Sequence, residues 1–471
     1  MMPNLHEIIY ILNYVILIYV FLLMTTYLIL AFSSYKKLKE YYRYIEFHDE
    51  EKIFELRNHV PISIIAPAYN EGTGIVDSVK SLLQLEYPEF QIIVVNDGST
   101  DDTLVRLIHY FNLSQIFFNS ELKIETKEVI TAYASAEYKN LIVINKRNGG
   151  KADALNAGVN IAKHPLIATV DADSILERDC LLKIVTPFIE DEDVVAVGGT
   201  IRIANGCKIR SGHVESVNLP KPWLVKFQVL EYIRAFIFGR SGFDTINSLL
   251  IISGAFSCFK KESVFEVGGF KAGSIGEDME ITIRLHRELR KENPKTRIAF
   301  IPDPVCWTEA PESIKVLKSQ RIRWQKGTIE SLLSHKKLLF NPKYKLLGLL
   351  GYPYFFFFEM LGPVVEFAGY VLIILSFLFN WVSSYFAIVF FILLVLYGII
   401  ISTFSVLLEE LTHSKYPKLS HLIQLFFIAI IENFGYRQMT VFWRFWATVE
   451  YVIGKRSWGK MKKKGLSNED E

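Results

Sequence analysis

Cysteine is scarce in this sequence. Its 471 residues include four, Cys180, Cys207, Cys258 and Cys306, which are scattered without a paired spacing. The sequence therefore indicates neither a zinc site nor a disulfide framework. We expect isolated core thiols in a reducing compartment.

Net charge is also almost absent. The formal charge is +2 at pH 7, from 52 Lys and Arg residues against 50 Asp and Glu residues. A balance so close to neutral gives no reason to expect a nucleic-acid partner. Apolar residues are what the chain has in quantity, at 51% of the total. A chain of this length and composition is too apolar to be fully soluble, so we expect a membrane part.

The amino-terminal stretch from Ile8 to Phe32 carries no charged residue. It is long enough to cross a bilayer core of about 30 Å. Basic residues, beginning with Lys36, come after it, whereas a signal peptide would place them before a shorter apolar core. We therefore predict a transmembrane helix over residues 1–35 and a cytoplasmic linker over 36–60, with the amino terminus outside by the positive-inside rule.

Residues 61–337 have the pattern of an α/β domain. Apolar runs rich in β-branched residues, such as 62–69 and 91–97, alternate with helical patterns such as 151–163. This alternation predicts a mostly parallel sheet with helices on both faces, in which ligands bind at the carboxyl ends of the strands. The segment 109–140 is polar and irregular, and we interpret it as an insertion without an assigned role.

Residues 338–454 are predicted to form interfacial and transmembrane helices. The stretch 361–408 holds one charged residue, Glu366. A break near Asn380 predicts two spans joined by a short hairpin. Residues 421–454 predict one further membrane-embedded or interfacial segment, followed by an amphipathic helix. The number of crossings stays open at this point.

Two acidic residues, Glu359 and Glu366, fall at or near membrane depth. Ionisable residues there are functional candidates, and an interfacial position explains both of them equally well. The tail over residues 455–471 is strongly basic, so we expect it in the cytoplasm.

Asp97 and Gly98 form a turn after an apolar strand. The Asp97 carboxylate can accept hydrogen bonds from a nucleotide base or ribose, and Gly98 lets the backbone come close to such a ligand. An Asp-Gly turn that merely ends a strand explains the same residues equally well. Upstream, Pro67, Tyr69 and Glu71 end the first strand and are predicted to wall the same pocket.

A second group of residues is suited to a diphosphate and a metal. Lys151 opens a helix after a glycine-rich turn, where a phosphate would meet its charge and free backbone amides, although a plain helix start also explains the turn. Asp171 and Asp173 follow another apolar strand, so both carboxylates can approach one divalent cation. Hard oxygen ligands favour Mg²⁺ or Mn²⁺ bridging to a diphosphate.

Glu277 and Asp278 open a predicted helix. Acidic residues in a first helical turn usually complement the helix dipole. A carboxylate that faces a pocket can instead act as a general base and remove the proton of an attacking hydroxyl.

Gln320, Arg323 and Trp324 lie on one face of a predicted helix, because positions three and four apart are neighbours on its surface. Arg323 is placed to brace a diphosphate, and Trp324 to stack on the flat face of a sugar. An amphipathic helix with Arg and Trp at the headgroup level also explains the segment, and both interpretations can hold together.

The order of these motifs resembles that of membrane-integrated family-2 glycosyltransferases of the processive polysaccharide-synthase type, such as the cellulose, chitin, hyaluronan and poly-N-acetylglucosamine synthases. The resemblance implies a GT-A (Rossmann-like) α/β domain on the cytoplasmic face, with α-helical transmembrane and interfacial helices forming a polymer channel. It also implies roles for the residues above: Asp97 for the uridine, Asp171 and Asp173 for the diphosphate and metal, Asp278 rather than Glu277 for the base, and Gln320, Arg323 and Trp324 for the acceptor site. Trp458, in the basic tail, resembles the gating loop of hyaluronan- and poly-N-acetylglucosamine-type synthases.

Two departures from the family pattern bear on the product. Gly276 precedes Glu277 where cellulose synthases commonly have Thr, and no cyclic-dinucleotide domain follows the last membrane segment. The stretch 148–156 is most similar to the bacterial poly-β-1,6-N-acetylglucosamine synthase-like branch, which implies UDP-N-acetylglucosamine as donor.

Three hypotheses follow. The first is a processive inverting β-glycosyltransferase that polymerises a sugar from a UDP-sugar and moves the polysaccharide across the membrane. The second is a non-processive enzyme that adds one sugar to a lipid acceptor, and the third is a non-catalytic membrane scaffold. The set of carboxylates with Lys151 argues against the scaffold. Expected partners are the UDP-sugar, the growing polysaccharide, the lipid bilayer and a small membrane accessory subunit, and the expected location is the inner (plasma) membrane, crossed several times, with the catalytic domain cytoplasmic.

Overall fold

The structure is a computed structural model that describes residues 5–47, 59–117, 122–210, 212–379, 384–412, 415–416 and 418–455. The predicted gating residue Trp458 lies outside the described residues, as does most of the tail predicted over 455–471.

Twelve strands are present in the described part of the chain: β1 Ile62–Ala68, β2 Phe90–Asp97, β3 Leu113–Ile116, β4 Val129–Ser135, β5 Leu141–Lys146, β6 Leu166–Val170, β7 Ile175–Leu176, β8 Val194–Ile203, β9 Lys208–Arg210, β10 His213–Ser216, β11 Phe256–Lys260 and β12 Arg297–Thr308. Ten of them form one sheet in the order β3-β4-β5-β2-β1-β6-β11-β8-β12-β7, and β9 and β10 pair separately.

The central strands β5, β2, β1 and β6 are parallel, as predicted. The rest of the sheet is mixed, so the prediction of a mostly parallel sheet was wrong outside this group. β11 lies antiparallel between β6 and β8, because the connection from β8 to β11 returns the chain at the edge where β8 ends. β12 is parallel to β8, and β7 is antiparallel to β12.

The interpretation of residues 109–140 as an irregular insertion was also wrong. β3 and β4 lie in this segment and extend the sheet antiparallel from β5, with Leu113 opposite Ser135 and Ala134 opposite Ile142. These strands are near the edge of the sheet and bury few of their residues. The run 129–135 is nevertheless rich in β-branched and aromatic residues, a strand signal that the polar character of the surrounding segment outweighed in the prediction.

The longer helices are α1 Leu5–Phe47, α2 Ile75–Leu83, α3 Thr103–Tyr110, α4 Lys151–Ile161, α5 Cys180–Glu190, α6 Trp223–Ile233, α7 Glu277–Leu289, α8 Ile314–Ser334, α9 Gly362–Leu378, α10 Ser384–Thr412, α11 Leu419–Ile431 and α12 Tyr436–Val452. A π-helical run, Arg234–Arg240, follows α6, and short helices cover Ser241–Thr245, Lys261–Glu266, Lys336–Leu338 and Pro342–Tyr344. Leu347–Met360 is helical with π-helical turns at both ends.

Small residues let α4 lie close to the sheet. Every residue from Ala152 to Val159 is buried, and a Cβ on Gly158 would come within 2.3 Å of the Ile65 side chain in β1. Because α4 begins at Lys151, this packing fixes the position of that side chain at the carboxyl edge of the central strands.

Helix α1 extends beyond the predicted span. The linker predicted to begin at residue 36 is helical as far as Phe47. This extension is anchored to the α/β domain: Lys37 forms an ion pair with Asp244, and the Tyr41 hydroxyl donates to the Asp303 carboxylate at 2.6 Å. The extension remains helical because it packs on folded protein.

Two described helical segments, Ile11–Arg43 and Val395–Thr412, have the length and apolar composition of membrane spans. Two bent helix pairs would raise the number to four if each pair crosses as a unit: Leu347–Met360 with α9, bent by 45°, and α11 with α12, bent by 57°. The predicted break near Asn380 lies outside the described residues, after the end of α9 at Leu378 and before the start of α10 at Ser384.

Acidic residues among these helices are paired with arginines. Glu359 lies 3.3 Å from Arg444, and Glu366 lies 3.6 Å from Arg437. Glu432, whose side chain is 5% exposed, lies 2.6 Å from Arg234. Pairing of this kind makes a charge tolerable in an apolar setting.

Candidate active site

The site forms where the parallel strands end. Asp97 at the end of β2 is opposite Lys146 at the end of β5, and Ala68 at the end of β1 is opposite Asn96. Since β11 is antiparallel to β6, its first residues reach the same edge, and the Asp171 amide donates to the Ala255 carbonyl at 3.1 Å. The segments that precede α4 and α7 therefore meet the strand ends.

Asp97 is held from several sides. Its carboxylate accepts hydrogen bonds from the amides of Gly149 and Gly150 at 3.0 and 2.8 Å and from the Lys146 ammonium at 2.6 Å. Lys146 also lies 2.5 Å from Asp153, so one fully buried lysine joins two buried carboxylates. This group fixes the glycine-rich loop against the end of β2.

The predicted contact of Asp97 with a nucleotide stays a prediction. The residue is 3% exposed, and its two carboxylate oxygens already accept the hydrogen bonds described above. Its role visible in the structure is to shape the loop before Lys151.

The loop after β1 lies beside the same edge. Tyr69 is 45% exposed, while Pro67 and Glu71 are half-buried. Asn70, with a positive φ of 55°, accepts a hydrogen bond from the Thr100 amide at 2.8 Å. The loops after β1 and β2 are thereby joined, so these residues border the space beside Asp97.

Lys151 links two of the predicted motifs. Its ammonium nitrogen lies 2.7 Å from the Asp171 carboxylate and 2.9 Å from that of Glu277, and it donates to the Gly254 carbonyl at 3.3 Å. Burial opposes the charge on Lys151, but the attraction of Asp171 and Glu277 outweighs it and raises the pKa of the lysine. Lys151 is therefore a fixed cation at the mouth of the site.

Asp278 is held on the other side of Gly254. Its carboxylate accepts hydrogen bonds from the Gly254 amide at 3.1 Å and from the Met279 amide at 2.8 Å. Burial raises the pKa of Asp278, and the charge of Glu277 raises it further, against the opposing effect of Lys151 and of the two amides. A raised pKa suits a general base, because a weakly basic carboxylate is a poor proton acceptor.

Asp171 and Asp173 are both half-buried, directly after β6. Among the described residues, no group of three or more His, Cys, Asp or Glu side chains is arranged to hold a metal ion. A magnesium or manganese ion is commonly held by one or two carboxylates, with substrate phosphates and water completing its coordination. The two carboxylates fit an ion that arrives with a diphosphate, and they do not form an all-protein cage.

Helix α8 packs directly against the loop that leads to Asp278. A Cβ on Gly327 would lie 3.1 Å from the Gly276 Cα, so the two backbones meet without a side chain between them. The Glu330 carboxylate accepts a hydrogen bond from the Ile275 amide at 3.1 Å. These contacts bring the motif of α8 next to the motif that opens α7.

The three predicted acceptor-site residues lie on α8. Trp324 is 39% exposed, and Gln320 and Arg323 are half-buried. Arg321 lies over the Trp324 ring, 4.5 Å from its centroid, and forms an ion pair with Glu231 of α6 at 2.5 Å. Arg321 therefore supports one face of the Trp324 ring, while the ring remains accessible to a ligand.

Helix α8 is also fastened to the carboxyl-terminal helices. The Gln325 side chain accepts a hydrogen bond from Arg444 at 2.9 Å, and the buried Lys326 pairs with Glu450 at 2.8 Å. Arg444 in turn donates to the Glu359 carbonyl at 2.7 Å. Helix α8 thus connects the α/β domain to the apolar helices.

Residues 59–327, more than half of the 471-residue chain, match the model of the family described as glycosyltransferase like family 2. The chain is a family-2 glycosyltransferase. The predicted resemblance and the predicted enzyme class are confirmed, as is the GT-A class of α/β fold joined to apolar helices. Residues 274–471 of the glycosyltransferase also match a chitin synthase model.

Curated relatives of this glycosyltransferase include the poly-beta-1,6-N-acetyl-D-glucosamine synthases of Staphylococcus epidermidis and of Staphylococcus aureus strain COL. Each is 30% identical over 272 residues, which are 58% of this chain and 55% of the relative. The chain therefore spans about half the length of the curated relatives it matches.

Solved structures that resemble the glycosyltransferase are more distant. The mannosyltransferase PcManGT from Pyrobaculum calidifontis, in complex with GDP-Man and Mn²⁺, is 16% identical with a TM-score of 0.49, over 88% of this chain and 99% of the other. Staphylococcus aureus TarS in complex with UDP-GlcNAc is 16% identical with a TM-score of 0.39, over 80% of this chain and 92% of the other.

Sequence reasoning missed several residues that build this site. They are Lys146 and Asp153 in the buried ion group, Gly254 between Lys151 and Asp278, and Gly327 against Gly276. A lysine at the end of an apolar strand was a usable signal for Lys146, since a charge there needs a partner. Nothing in the spacing of Gly254 pointed to the site.

Proposed function

We propose that this family-2 glycosyltransferase is a processive inverting enzyme that polymerises N-acetylglucosamine from UDP-N-acetylglucosamine. The observation that carries the proposal is the placement of Asp278. Its carboxylate and the Lys151 cation, which is suited to a diphosphate, both contact Gly254. The loop that leads to Asp278 packs against α8, which exposes Trp324. The similarity of residues in this region to poly-N-acetylglucosamine synthases supports the choice of sugar.

In the proposed reaction Asp278 accepts the proton of the attacking hydroxyl of the acceptor sugar. The new bond forms between that oxygen and the anomeric carbon of the donor, while the bond from the anomeric carbon to the diphosphate breaks and UDP leaves with the electron pair. A single displacement of this kind inverts the anomeric configuration and gives a β-linkage from an α-linked donor. Lys151 stabilises the negative charge that grows on the diphosphate.

Asp171 and Asp173 would hold a Mg²⁺ or Mn²⁺ ion, which supplies positive charge to the diphosphate when bound. Asp171 also positions Lys151, so the carboxylate serves both cations. Arg323 is assigned to the diphosphate.

The remaining roles divide between donor and acceptor. We assign the donor pocket to Pro67, Tyr69, Glu71 and Asp97, and the acceptor site to Gln320 and Trp324, on which a sugar ring stacks. Trp458 is proposed to gate the bound donor.

The helices support a proposal about location. With basic residues from Lys36 onward and an apolar segment before them, the catalytic domain is proposed to face the cytoplasm from the inner (plasma) membrane. The polymer would leave between the apolar helices, and a small membrane subunit is a proposed partner. Helix α8 contacts Arg444 and Glu450 among those helices. This proximity supports a path for the polymer from Trp324 toward them.

The test is product size. Purified full-length protein in lipid vesicles is incubated with single UDP-sugars and Mg²⁺ or Mn²⁺, and the products are separated by length and by lipid linkage. Long chains made from UDP-N-acetylglucosamine support the proposal. Single-sugar lipid products would favour the non-processive enzyme, and no turnover with any UDP-sugar would contradict both.

A further inference from the structure

Arg240 occupies an unusual place beside the candidate active site. It ends the π-helical run Arg234–Arg240 that follows α6. π-helical turns are uncommon and often occur at functional sites. Tyr232, Phe236 and Arg240 follow one another at intervals of four residues; the rings of Tyr232 and Phe236 lie 5.7 Å apart, and the Arg240 guanidinium lies 3.6 Å from the Phe236 ring centroid. The stacked ring fixes the plane of the guanidinium.

The Arg240 guanidinium has unused hydrogen-bond donors. Within the described part of the chain, its Nε and Nη1 atoms are buried and have no hydrogen-bond partner. Nearby arginines are paired: Arg234 with Glu432 at 2.6 Å and Arg321 with Glu231 at 2.5 Å. Buried polar groups are nearly always satisfied, so unused donors at this position indicate a ligand or a bound water.

The segment that carries Arg240 contacts the α8 side on either side of that residue. Before it, Glu231 pairs with Arg321 of α8 at 2.5 Å. After it, the Phe243 ring lies 5.1 Å from the ring of Phe355, in the helix whose Met360 carbonyl accepts a hydrogen bond from Gln325 of α8 at 2.9 Å.

Burial lowers the pKa of Arg240 to about 10, against the attraction of Asp278 and Tyr232. Tyr232 is in turn within the electrostatic reach of Arg321, the residue that supports Trp324. Arg240 therefore lies between two contacts with the α8 side and within the electrostatic reach of Asp278.

A second unsatisfied atom lies on α8 itself. The Oε1 atom of Gln320 is buried without a hydrogen-bond partner among the described residues. Arg240 offers donors and Gln320 offers an acceptor, and a sugar hydroxyl can accept from the first and donate to the second. This combination suits a neutral, hydroxyl-rich ligand better than a second phosphate.

We propose that Arg240 is an acceptor-binding residue, whose Nε and Nη1 donate to oxygens of the terminal acceptor sugar and place its attacking hydroxyl at Asp278. The inference rests on the proposed function, because it assumes a sugar acceptor. It assigns to the π-helical run the task of turning Arg240 toward the reacting groups.

The test separates acceptor binding from donor binding. Full-length wild type, Arg240→Gln and Arg240→Lys are assayed in vesicles with a short N-acetylglucosamine oligosaccharide as primer, and KM is measured for the primer and for UDP-N-acetylglucosamine. Loss of hydrogen bonds from a charged donor should raise the primer KM of Arg240→Gln by about tenfold or more. Its donor KM should not change, and Arg240→Lys should recover part of the loss.

Arg290 provides a matched control, because it is also buried with a pKa lowered to about 10 but donates to the Asn247 and Thr296 carbonyls. Arg290→Gln should lower thermal stability without raising the primer KM relative to the donor KM. An active Arg240→Gln enzyme with an unchanged primer KM would overturn the inference. An enzyme whose primer KM and donor KM rise by the same factor would also overturn it. Neither result would bear on the proposed function. Wild-type protein that transfers no sugar would instead overturn the proposed function.

If Arg240→Gln fails to fold, Arg240→Lys provides the test, again by comparing the primer KM with the donor KM. A folded Arg240→Lys enzyme that binds UDP normally should still show a primer KM above that of the wild type, because an ammonium lacks the planar pair of donors. A primer KM equal to that of the wild type would count against the proposal.

Discussion

Lys151, the first residue of α4, lies 2.7 Å from Asp171, the first residue after β6. The same lysine lies 2.9 Å from Glu277, which opens α7. One cation therefore joins the carboxylate proposed for the metal to the pair that contains the proposed base. Asp278 feels both the repulsion of Glu277 and the attraction of Lys151, so the ionisation of the base depends on this network.

The first prediction concerns pH. Asp278 must be ionised to accept a proton, and its pKa is raised, so kcat should fall with decreasing pH at values above the usual range of an aspartate. Glu277→Gln removes a repulsive charge, which lowers the pKa of Asp278 and should move this acidic limb to lower pH. A pH–rate profile of each protein measures the shift.

Glu288→Gln, on the distal end of α7, is the control for that series, since Glu288 pairs locally with Arg287 and Lys291. Its acidic limb should match that of the wild type. If the acidic limb of the Glu277→Gln pH–rate profile moved to higher pH, the proposed repulsion between Glu277 and Asp278 would be contradicted.

The second prediction concerns the buried ion group. Lys146→Met leaves the Asp97 and Asp153 carboxylates buried without their shared cation, which should cost about 3–5 kcal/mol of folding free energy. The adjacent Arg147 forms an exposed pair with Glu128, in which the side chains are 71% and 63% exposed. Arg147→Met should therefore cost less than about 1 kcal/mol. Thermal and denaturant unfolding measure the stability of both variants. Equal losses of folding free energy would contradict the claim that the buried ion group stabilises the fold more than the exposed pair does.

The third prediction concerns the contact between α8 and the loop before α7. Gly327→Ala introduces a methyl group 3.1 Å from the Gly276 Cα, so the helix must move away from that loop. Because α8 carries Trp324 and the loop leads to Asp278, kcat should fall while UDP binding persists. Gly74→Ala, where a Cβ meets nothing within 4 Å, is the matched control. Similar kcat values for both variants would show that the close approach is not needed.

The fourth prediction concerns the metal. Chelation should stop transfer, and added Mg²⁺ or Mn²⁺ should restore it, because Asp171 and Asp173 are proposed to hold an ion together with the diphosphate. Asp173→Asn should raise the metal concentration needed for half-maximal rate by about tenfold or more. Calorimetric titration of UDP with and without metal provides a readout other than rate. Full transfer in the presence of chelator would rule out the metal site.

The convergence of motifs at the sheet edge was predictable from sequence. Residues such as Asp97 and Asp171 each follow an apolar run, and parallel strands bring their ends together. The motif at 320–324 was predictable as a helix from its spacing, but its contact with Gly276 was not. That contact depends on two glycines distant in sequence, whose lack of a side chain leaves no periodic signal.

A long-range charge pair accounts for part of what sequence reasoning missed. Lys146 looked like one charge ending a strand, and its link to Asp153 exists only because β5 and α4 fold beside β2. Arg240 was equally inconspicuous, since its proposed role rests on a π-helical turn and on donors without hydrogen-bond partners among the described residues. Strand β4, which lies between the edge strand β3 and β5, was missed because its short apolar run is embedded in a segment that is polar as a whole.

The most direct test of the account is Asp278→Asn in full-length protein reconstituted in vesicles. UDP-N-acetylglucosamine binding and polymer formation are measured on the same preparation, with wild type alongside. The account predicts that the variant binds the donor with nearly wild-type affinity and forms no polymer, because it lacks the base and keeps Lys151 and the diphosphate-binding residues. Polymer formation by Asp278→Asn at the wild-type rate would contradict the assignment of Asp278 as the base.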